Sequence, residues 1–472
     1  MRRIGIRVGS MLAALVILGC TTTQPYWTDL AAGPDLHGKL NRPVAAEPNR
    51  HCLPPSQVCI AFVEFDDYGN AMNRAQLLGA VQEAEAAART GSTVLVYFHG
   101  WHENARRGAP DLNQFLELVQ RASSLSQASG NASVFGIYVG WRGDSIAVRA
   151  ADSANPKRDV TTITALPSYA LTFWERKDAA QRIGASGGVY ELIKRLSAIR
   201  LAHKDSRLVL QGHSFGGALL YSAMSQPLVE QIMRDGLSYP GERKRPSRPF
   251  ADLVVLLNPA FEAMRVRPHV DLARSYEYPN GPTADDFLPP RLIIITSDAD
   301  TATRVAFTAG RVLGTLTSSY TSDDGRSRAE NTTAVGHYIP LVTHQLTPIL
   351  NGACPAGRVN PMALNQSVLC ISPEGEAGSA VPLLLTRCDN PGDCAHVAGK
   401  EHFLQRGPVA EGYLPFRLPI LNVRTVGTVI GSHTDIWQPT FQNFLAQLAA
   451  LGARDPGAIP MMPVTTAPSH FQ

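Results

Sequence analysis

The chain alternates short apolar runs with stretches of helical periodicity, and this alternation constrains the fold more than any other feature. The runs VCIAFVEF, STVLVYF, SVFGIYVGW, RLVLQ, DLVVLL and RLIIITS are short and rich in β-branched or large apolar residues, as expected of buried strands. Amphipathic stretches such as NRAQLLGAVQEAEAAART and DLNQFLELVQRASSLSQ lie between them. Strands that alternate with helices predict an α/β protein whose mostly parallel sheet is covered by helices on both faces.

Ser214 lies between a predicted strand and a predicted helix, in the segment VLQGHSFGGALL at positions 209–220. Its Gly-x-Ser-x-Gly pattern is common by chance, and GASGG around Ser186 matches it too. Only the first pattern follows an apolar strand and opens a helix, which is the context of a nucleophile elbow. Ser186 follows the charged stretch ERKDAAQRI, so we predict Ser214 as the nucleophile and Ser186 as a loop or N-cap residue.

The first twenty residues predict export. The basic stretch MRRIGIR is followed by the apolar stretch MLAALVIL, which is too short to span a bilayer and is typical of a cleaved signal peptide over residues 1–19. The sequence ILGC resembles a bacterial lipobox, which implies that Cys20 is lipidated. Thr21 rather than Asp follows it, which favours the outer membrane in that resemblance. The alternative is an ordinary signal peptide with an incidental cysteine.

The other cysteines fit an oxidising compartment, since their number is even. Pairing between sequence neighbours is the simplest arrangement, and it predicts the bonds Cys52–Cys59, Cys354–Cys370 and Cys388–Cys394. A zinc site built from the last four is the alternative, although their spacing suits one poorly.

Charge and composition exclude several classes of partner. The 43 Lys and Arg residues include Arg2, Arg3 and Arg7 of the predicted signal, so the mature chain balances its 40 acidic residues. The sequence has no long basic run of the kind that would indicate nucleic-acid binding. No dinucleotide glycine pattern follows the first strand and no phosphate loop is present, so we predict no cofactor.

The motifs GHSFGG, FHGW and the late GSH together resemble those of the α/β-hydrolase superfamily, of the lipase and esterase kind, over about residues 58 to 450. The resemblance implies the chain order nucleophile, acid, histidine. It implies His433 as the base, because this histidine follows a late strand in GTVIGSHTDIW, with His337 as the alternative. It implies Asp300 as the acid, three residues beyond the end of the strand in IIITSDAD, with Asp298 as the alternative.

The same resemblance implies an oxyanion hole made by the main-chain N–H groups of Phe215, after the nucleophile, and of Trp101, after the third strand. His99 and His102 have the spacing of a zinc pair. Gly100 and the strand end between them argue against a helix that could present both rings, so we predict loop histidines and no metal.

These observations predict the following organisation: a signal peptide (1–19), a flexible tether (20–50), an α/β-hydrolase domain (51–455) and a C-terminal tail (456–472). An insert at about 303–419 carries four cysteines and would serve as a lid, a substrate wall or an interaction surface. The predicted activity is hydrolysis of carboxylic esters through a Ser-Asp-His triad, on a small-molecule or lipid ester. The alternatives are a thioesterase or peptidase with the same machinery, or a non-catalytic envelope lipoprotein.

Overall fold

A computed structural model describes residues 25–27, 49–53, 58–128, 130–143, 167–236, 250–275, 291–315, 318–320, 325–349, 368–371, 382–388 and 420–451. The predicted signal peptide, the lipidation site Cys20 and the C-terminal tail lie outside these residues.

In the described part of the chain, an eleven-stranded sheet forms the centre of the structure, in the order β1-β2-β4-β3-β5-β6-β7-β11-β8-β10-β9. The strands from β2 to β8 in this order are parallel, whereas β1, β10 and β9 pair antiparallel at the two ends. Their bounds are β1 Arg50–Leu53, β2 Val58–Phe65, β3 Thr93–Phe98, β4 Val134–Trp141, β5 Arg207–His213, β6 Leu253–Leu257, β7 Leu292–Ser297, β8 His344–Pro348, β9 Val368–Ile371, β10 Leu383–Arg387 and β11 Ile420–Thr425.

Helices cover both faces of this sheet. Their bounds are α1 Arg74–Arg89, α2 Pro110–Ala128, α3 Pro167–Ala185, α4 Gly187–Ala202, α5 Ser214–Gly236, α6 Arg267–Ser275, α7 Phe307–Gly314, α8 Arg326–Thr332 and α9 Pro439–Leu451, with a π-helical turn at Ala302–Ala306 and 3₁₀ turns at Ala263–Arg265, Val335–His337 and Ile339–Leu341. One apolar core lies under α1, α3, α4, α5 and α6, and a second lies under α2 and α9. The prediction of a mostly parallel sheet between helical layers is confirmed.

Local sequence explains where these elements begin. The strands β2, β3, β4, β6 and β7 are buried along their whole length, which accounts for their continuous apolar character. Helix α1 begins after Asn73, whose side chain accepts hydrogen bonds from the N–H groups of Ala75 and Gln76.

The described part of the predicted insert enlarges the sheet. It contributes β8, which pairs with β11, and then β10 and β9 beyond it. It also contributes α7, α8 and the turns that follow β7. The insert therefore extends the sheet that carries the predicted site, a role that its sequence did not suggest.

A disulfide joins Cys52 of β1 to Cys59 of β2, which confirms the first predicted pair. The two cysteines face each other in the antiparallel register, so the bond links the end strand β1 covalently to β2. Cys388 is also disulfide-bonded. Cys354 and Cys394 lie outside the described residues, so the other two pairs stay predictions.

Candidate active site

Ser214 lies at a sharp turn between β5 and α5. Strand β5 ends at His213 and the helix begins at Ser214 itself. The φ angle of Ser214 is +53°, a left-handed conformation that residues other than glycine rarely adopt. Such strain is typical of a nucleophile elbow, because the turn lifts the hydroxyl above the carboxyl end of the sheet.

Ser186 has a different environment, although it stands in the same sequence pattern. It is the N-cap residue of α4, and its hydroxyl donates to the carbonyl of Ile183 at 2.6 Å. Its position between two helices agrees with the prediction of a loop or N-cap residue.

Three strand ends bring Ser214, His433 and Asp300 together. The Ser214 hydroxyl donates to Nε2 of His433 at 2.6 Å, although the two residues are 219 positions apart. Nδ1 of His433 donates to Oδ2 of Asp300 at 2.9 Å. Because Nδ1 faces a carboxylate, it carries the ring proton, and Nε2 is left as an acceptor directed at the hydroxyl.

Asp300 is fully buried, and its carboxylate is surrounded by hydrogen-bond donors. Oδ1 accepts from the N–H of Thr303 at 3.0 Å, and Oδ2 accepts from the Thr303 hydroxyl as well as from His433. Burial alone would raise the pKa of Asp300, but the charge and hydrogen bond of His433 and the charge of His337 lower it below its ordinary value. The carboxylate therefore stays ionised and orients the imidazole.

His337, the alternative base, lies beside Thr303. Its Nε2 is 2.9 Å from the hydroxyl oxygen of Thr303. Since Thr303 gives its proton to Asp300, Nε2 of His337 donates to Thr303. Of the two candidate histidines, the structure brings His433 to the nucleophile and connects His337 to the acid through Thr303.

The main chain of His433 is held by two buried side chains. Its carbonyl accepts from Nε2 of His213 at 2.8 Å and from Nδ2 of Asn258 at 3.0 Å. Burial, followed by the charge of His433, lowers the pKa of His213 to about 3, so that His213 remains a neutral donor. Asn258 directly follows β6, and its Oδ1 accepts from the N–H of Ser297. These contacts hold the main chain of His433, and therefore position its imidazole relative to the sheet.

The loop that carries His433 is anchored at both ends. Before the histidine, the Ser297 hydroxyl donates to the carbonyl of Ile430 at 2.6 Å. After it, Nε1 of Trp437 donates to the buried carboxylate of Asp111 at 2.9 Å. A loop fastened in this way places the ring with little conformational freedom, as a general base requires.

The segment containing Gly100 and Trp101 borders the nucleophile. A Cβ atom at Gly100 would lie 3.3 Å from Cβ of Ser214 and 2.7 Å from Nδ1 of His213, which shows how closely this main chain approaches. The Trp101 ring contacts Phe215 with ring centroids 5.8 Å apart, and Phe215 is fully buried. Both residues predicted to supply the oxyanion hole therefore lie beside Ser214.

The ring of His99 forms hydrogen bonds with the main chain of this region. Its Nδ1 donates to the carbonyl of Gly100 at 2.9 Å, and its Nε2 accepts from the N–H of Trp141 at 3.1 Å. Both ring nitrogens are engaged, as expected of a histidine that shapes a loop. Among the residues that the structure describes, no group of three or more histidine, cysteine or acidic side chains is arranged to hold a metal ion.

Sequence reasoning missed the residues that support His433 and Asp300. His213 lies inside the GHS motif, Asn258 directly follows a strand, and Thr303 follows the acid at the spacing of an N-capping interaction. Each position carried a weak local signal, but none indicated which distant group the side chain would meet.

We expect Asp300→Asn to lower the turnover of a small ester about 10²- to 10⁴-fold, because an amide would stabilise neither the correct tautomer nor the imidazolium of His433. Asp298→Asn is the matched control and should change turnover less than about threefold. The main-chain N–H of Asp298 donates to Thr425, a contact that the control retains. Steady-state kinetics with a chromogenic ester measure both. Equal losses would contradict the choice of Asp300.

Comparisons with known proteins add little. No protein-family profile matches the chain, and no curated protein matches it. Phospholipase PlaB from Legionella pneumophila is 13% identical over 63% of this chain and 50% of that chain, with a TM-score of 0.22. Esterase B from Lactobacillus rhamnosis is 16% identical over 45% of this chain and 58% of that chain, with a TM-score of 0.17.

An uncharacterized protein from Pseudomonas aeruginosa is 12% identical over 51% of this chain and 42% of that chain, with a TM-score of 0.19. The chain thus spans about half the length of the solved structures that it matches. Two of these structures are a phospholipase and an esterase, but TM-scores this low say nothing about the activity of this chain.

Proposed function

We propose that this protein is a serine hydrolase of the α/β-hydrolase superfamily that cleaves carboxylic esters. The observation that supports this proposal is the chain of hydrogen bonds from the Ser214 hydroxyl through His433 to Asp300. The three residues follow different strands at the carboxyl edge of the sheet, in the order nucleophile, acid, histidine.

The proposed reaction begins with attack of the Ser214 oxygen on the ester carbonyl. Nε2 of His433 accepts the hydroxyl proton, and Asp300 stabilises the resulting imidazolium. The main-chain N–H groups of Phe215 and Trp101 stabilise the oxyanion, and one such donor is worth roughly 3–4 kcal/mol in related chemistry. His433 then gives its proton to the departing alcohol, which leaves an acyl group on Ser214.

Water releases the acyl group by the reverse proton path. His433 accepts a proton from the water as its oxygen attacks the acyl carbonyl, and returns that proton to the Ser214 oxygen as the carboxylic acid departs. The same machinery suits a thioester or an amide, so a thioesterase or a peptidase is the nearest alternative. A non-catalytic envelope protein of the same fold is the alternative from another class.

Labelling with a fluorophosphonate tests the proposal directly, because the reagent reacts with activated serines. We expect one label per chain, found on the peptide that contains Ser214, together with hydrolysis of short-chain nitrophenyl esters. Competition between matched ester, thioester and amide substrates then separates the three leaving groups. A protein that is folded but neither labelled nor active would support the non-catalytic alternative.

We also propose that the substrate is a lipid-derived ester and that the protein is anchored to the outer membrane through Cys20. This rests on the predicted signal peptide and on the resemblance of ILGC to a lipobox. In the part of the chain that the structure describes, no helix is both long and apolar enough to cross a bilayer.

We expect Cys20→Ser to abolish both incorporation of labelled fatty acid and partition into the membrane fraction, because the acyl chains would supply the attachment. Hydrolysis of a small soluble ester by the purified variant should stay within about twofold of the wild type, since Cys20 is not among the proposed catalytic residues. Membrane association of Cys20→Ser equal to that of the wild type would contradict the anchor.

A further inference from the structure

Trp27 lies within the predicted tether, yet it is packed into the domain. Only 1% of its surface is exposed, and its ring stacks on Phe62 with centroids 3.8 Å apart and an angle of 3° between the planes. Its indole N–H donates to the carbonyl of Ala105. The tether is therefore attached to the domain at this residue.

The main chain around Trp27 is bound as specifically as its ring. The N–H groups of Tyr26 and Trp27 each donate to the Glu64 carboxylate at 2.9 Å, and the Trp27 carbonyl accepts from Nε2 of Gln76. Glu64 is almost fully buried. Burial raises the pKa of Glu64 to about 7, although the N–H groups of Tyr26 and Trp27 and the amide of Gln76 lower it. We call Phe62, Glu64, Gln76 and the Ala105 carbonyl the Trp27 socket.

A glycine allows the walls of the socket to meet. A Cβ atom at Gly140 would lie 2.8 Å from Cβ of Ala105 and 2.9 Å from Cγ of Glu64, so no larger residue fits without displacing one of them. The N–H, carbonyl and indole N–H of Trp27 are all paired in the socket. These hydrogen bonds offset the cost of removing the polar groups of Trp27 from water, so the segment can stay buried.

The socket lies at the same edge of the sheet as the proposed active site. Glu64 is the penultimate residue of β2, and Ala105 belongs to the loop after β3 that also contains Trp101. The strands are parallel, so these positions share the carboxyl edge with Ser214 and His433. The N-terminal segment therefore joins the domain at its catalytic edge.

The attachment at Trp27 leaves little chain between Cys20 and the domain. Seven residue steps span at most about 25 Å when fully extended. The next described contact after Trp27 is that of Asn49, whose Nδ2 donates to the carbonyl of Gln76. Trp27 and Asn49 both contact Gln76, and the residues between them do not lie on the path along the chain from Cys20 to the socket. Without the socket, the free length up to Asn49 would have an r.m.s. span of about 30 Å and a much larger maximum.

We propose that Trp27 fastens the lipid anchor to the catalytic edge of the sheet, so that the active site is held against the bilayer in which Cys20 is embedded. This inference rests on the proposed function and on the proposed lipidation. It deepens the function by naming the substrate as an ester drawn from that bilayer.

Exposed tyrosines at this edge support the orientation. Tyr26, beside the socket, is 44% exposed, and Tyr68, in the turn after β2, is 68% exposed. Tyrosine is enriched where proteins meet the membrane interface, because its ring is apolar and its hydroxyl is polar. Both side chains stand at the edge that the short anchor would bring toward the bilayer.

Insertion of fifteen Gly and Ser residues between Gln24 and Pro25 of the full-length, lipidated protein tests the inference. The protein is anchored in vesicles of phosphatidylethanolamine and phosphatidylglycerol that carry a fluorogenic long-chain ester, and a short-chain nitrophenyl ester is assayed in parallel. We expect the insertion to lower hydrolysis of the vesicle ester at least fivefold and to leave hydrolysis of the soluble ester within twofold. Fluorescence and absorbance give the two rates in the same sample.

The matched control places the same fifteen residues between Gly33 and Pro34, on the other side of Trp27. This insertion should change neither rate, since it lengthens chain that does not connect the anchor to the socket. Trp27→Ala should reproduce the selective loss on the vesicle ester, and its melting temperature reports any loss of stability. Because the insertions leave the socket intact, they test the inference even where Trp27→Ala fails to fold.

The outcomes separate the inference from the proposed function. Wild-type activity on neither ester would refute the proposed function. A second outcome is that all three proteins, the wild type and both insertion variants, hydrolyse the soluble ester and hydrolyse the vesicle ester at equal rates. This would overturn the inference but not the proposed function. A wild-type protein that hydrolyses the soluble ester but carries no lipid on Cys20 would also overturn the inference.

Discussion

Ser214→Ala is expected to remove ester hydrolysis while leaving the protein folded. The substitution deletes the oxygen that is 2.6 Å from Nε2 of His433, and no other hydroxyl occupies that place in the described hydrogen-bond chain. Loss of a triad nucleophile elsewhere costs about 10⁶-fold in turnover, so we expect a loss of at least about 10⁴-fold here. Steady-state hydrolysis of a short-chain ester and fluorophosphonate labelling measure the loss, and thermal unfolding checks the fold.

Ser186→Ala is the matched control for this prediction, because Ser186 stands in the same Gly-x-Ser-x-Gly pattern. It should retain full labelling and turnover. Its hydroxyl donates to the carbonyl of Ile183, so the expected effect is a loss of about 1 kcal/mol or less in unfolding free energy. Loss of labelling in Ser186→Ala with activity retained in Ser214→Ala would reverse the assignment of the nucleophile.

The second large effect is expected for His433→Ala, which should approach the loss of Ser214→Ala. In the proposed reaction the imidazole is both the base for the Ser214 hydroxyl and the proton donor for the departing alcohol, and the variant lacks it. The members of a triad act as a unit, so the double variant Ser214→Ala/His433→Ala should be no slower than either single variant. Turnover of the three variants on one ester provides the comparison.

His337→Gln tests the alternative base. His337 contacts the Thr303 hydroxyl, which donates to Asp300, and a Gln amide can still donate to that hydroxyl. We therefore expect a loss of less than about tenfold, in line with an indirect contact to the acid. A loss as large as that of His433→Ala would show that His337 has a direct part in the reaction.

The residues that hold His433 and Asp300 in place explain why a short sequence motif is not sufficient to build the site. His213 and Asn258 both donate to the carbonyl of His433, and Thr303 gives two hydrogen bonds to Asp300. With these contacts, Nε2 of His433 lies 2.6 Å from the Ser214 hydroxyl oxygen, and Oδ2 of Asp300 lies 2.9 Å from Nδ1 of His433. Groups of this kind determine the geometry on which general-base chemistry depends.

The sequence by itself determined the features that depend on neighbouring residues. Buried strands require continuous apolar runs, and a helix that follows a strand directly requires a sharp turn, so the α/β class and the elbow candidate Ser214 were visible from local pattern. The pair Cys52–Cys59 was also within reach, because the two cysteines are sequence neighbours separated by seven positions. The choice of His433 and Asp300 as candidates needed the resemblance to a known superfamily as well.

Only the tertiary structure decided which distant groups meet. Periodicity reports on the face of one element, whereas the partners of His433, Asp300 and Trp27 come from segments far away in the chain. Sequence composition predicted a flexible tether around Trp27 because Pro, Gly and Thr surround it, yet the socket formed by Phe62, Glu64 and Gln76 buries its ring. Similarly, β8 was recognised as a strand only from its pairing with β11 in the folded structure. Burial and hydrogen bonding between distant segments outweigh local propensity wherever the folded chain supplies a complementary surface.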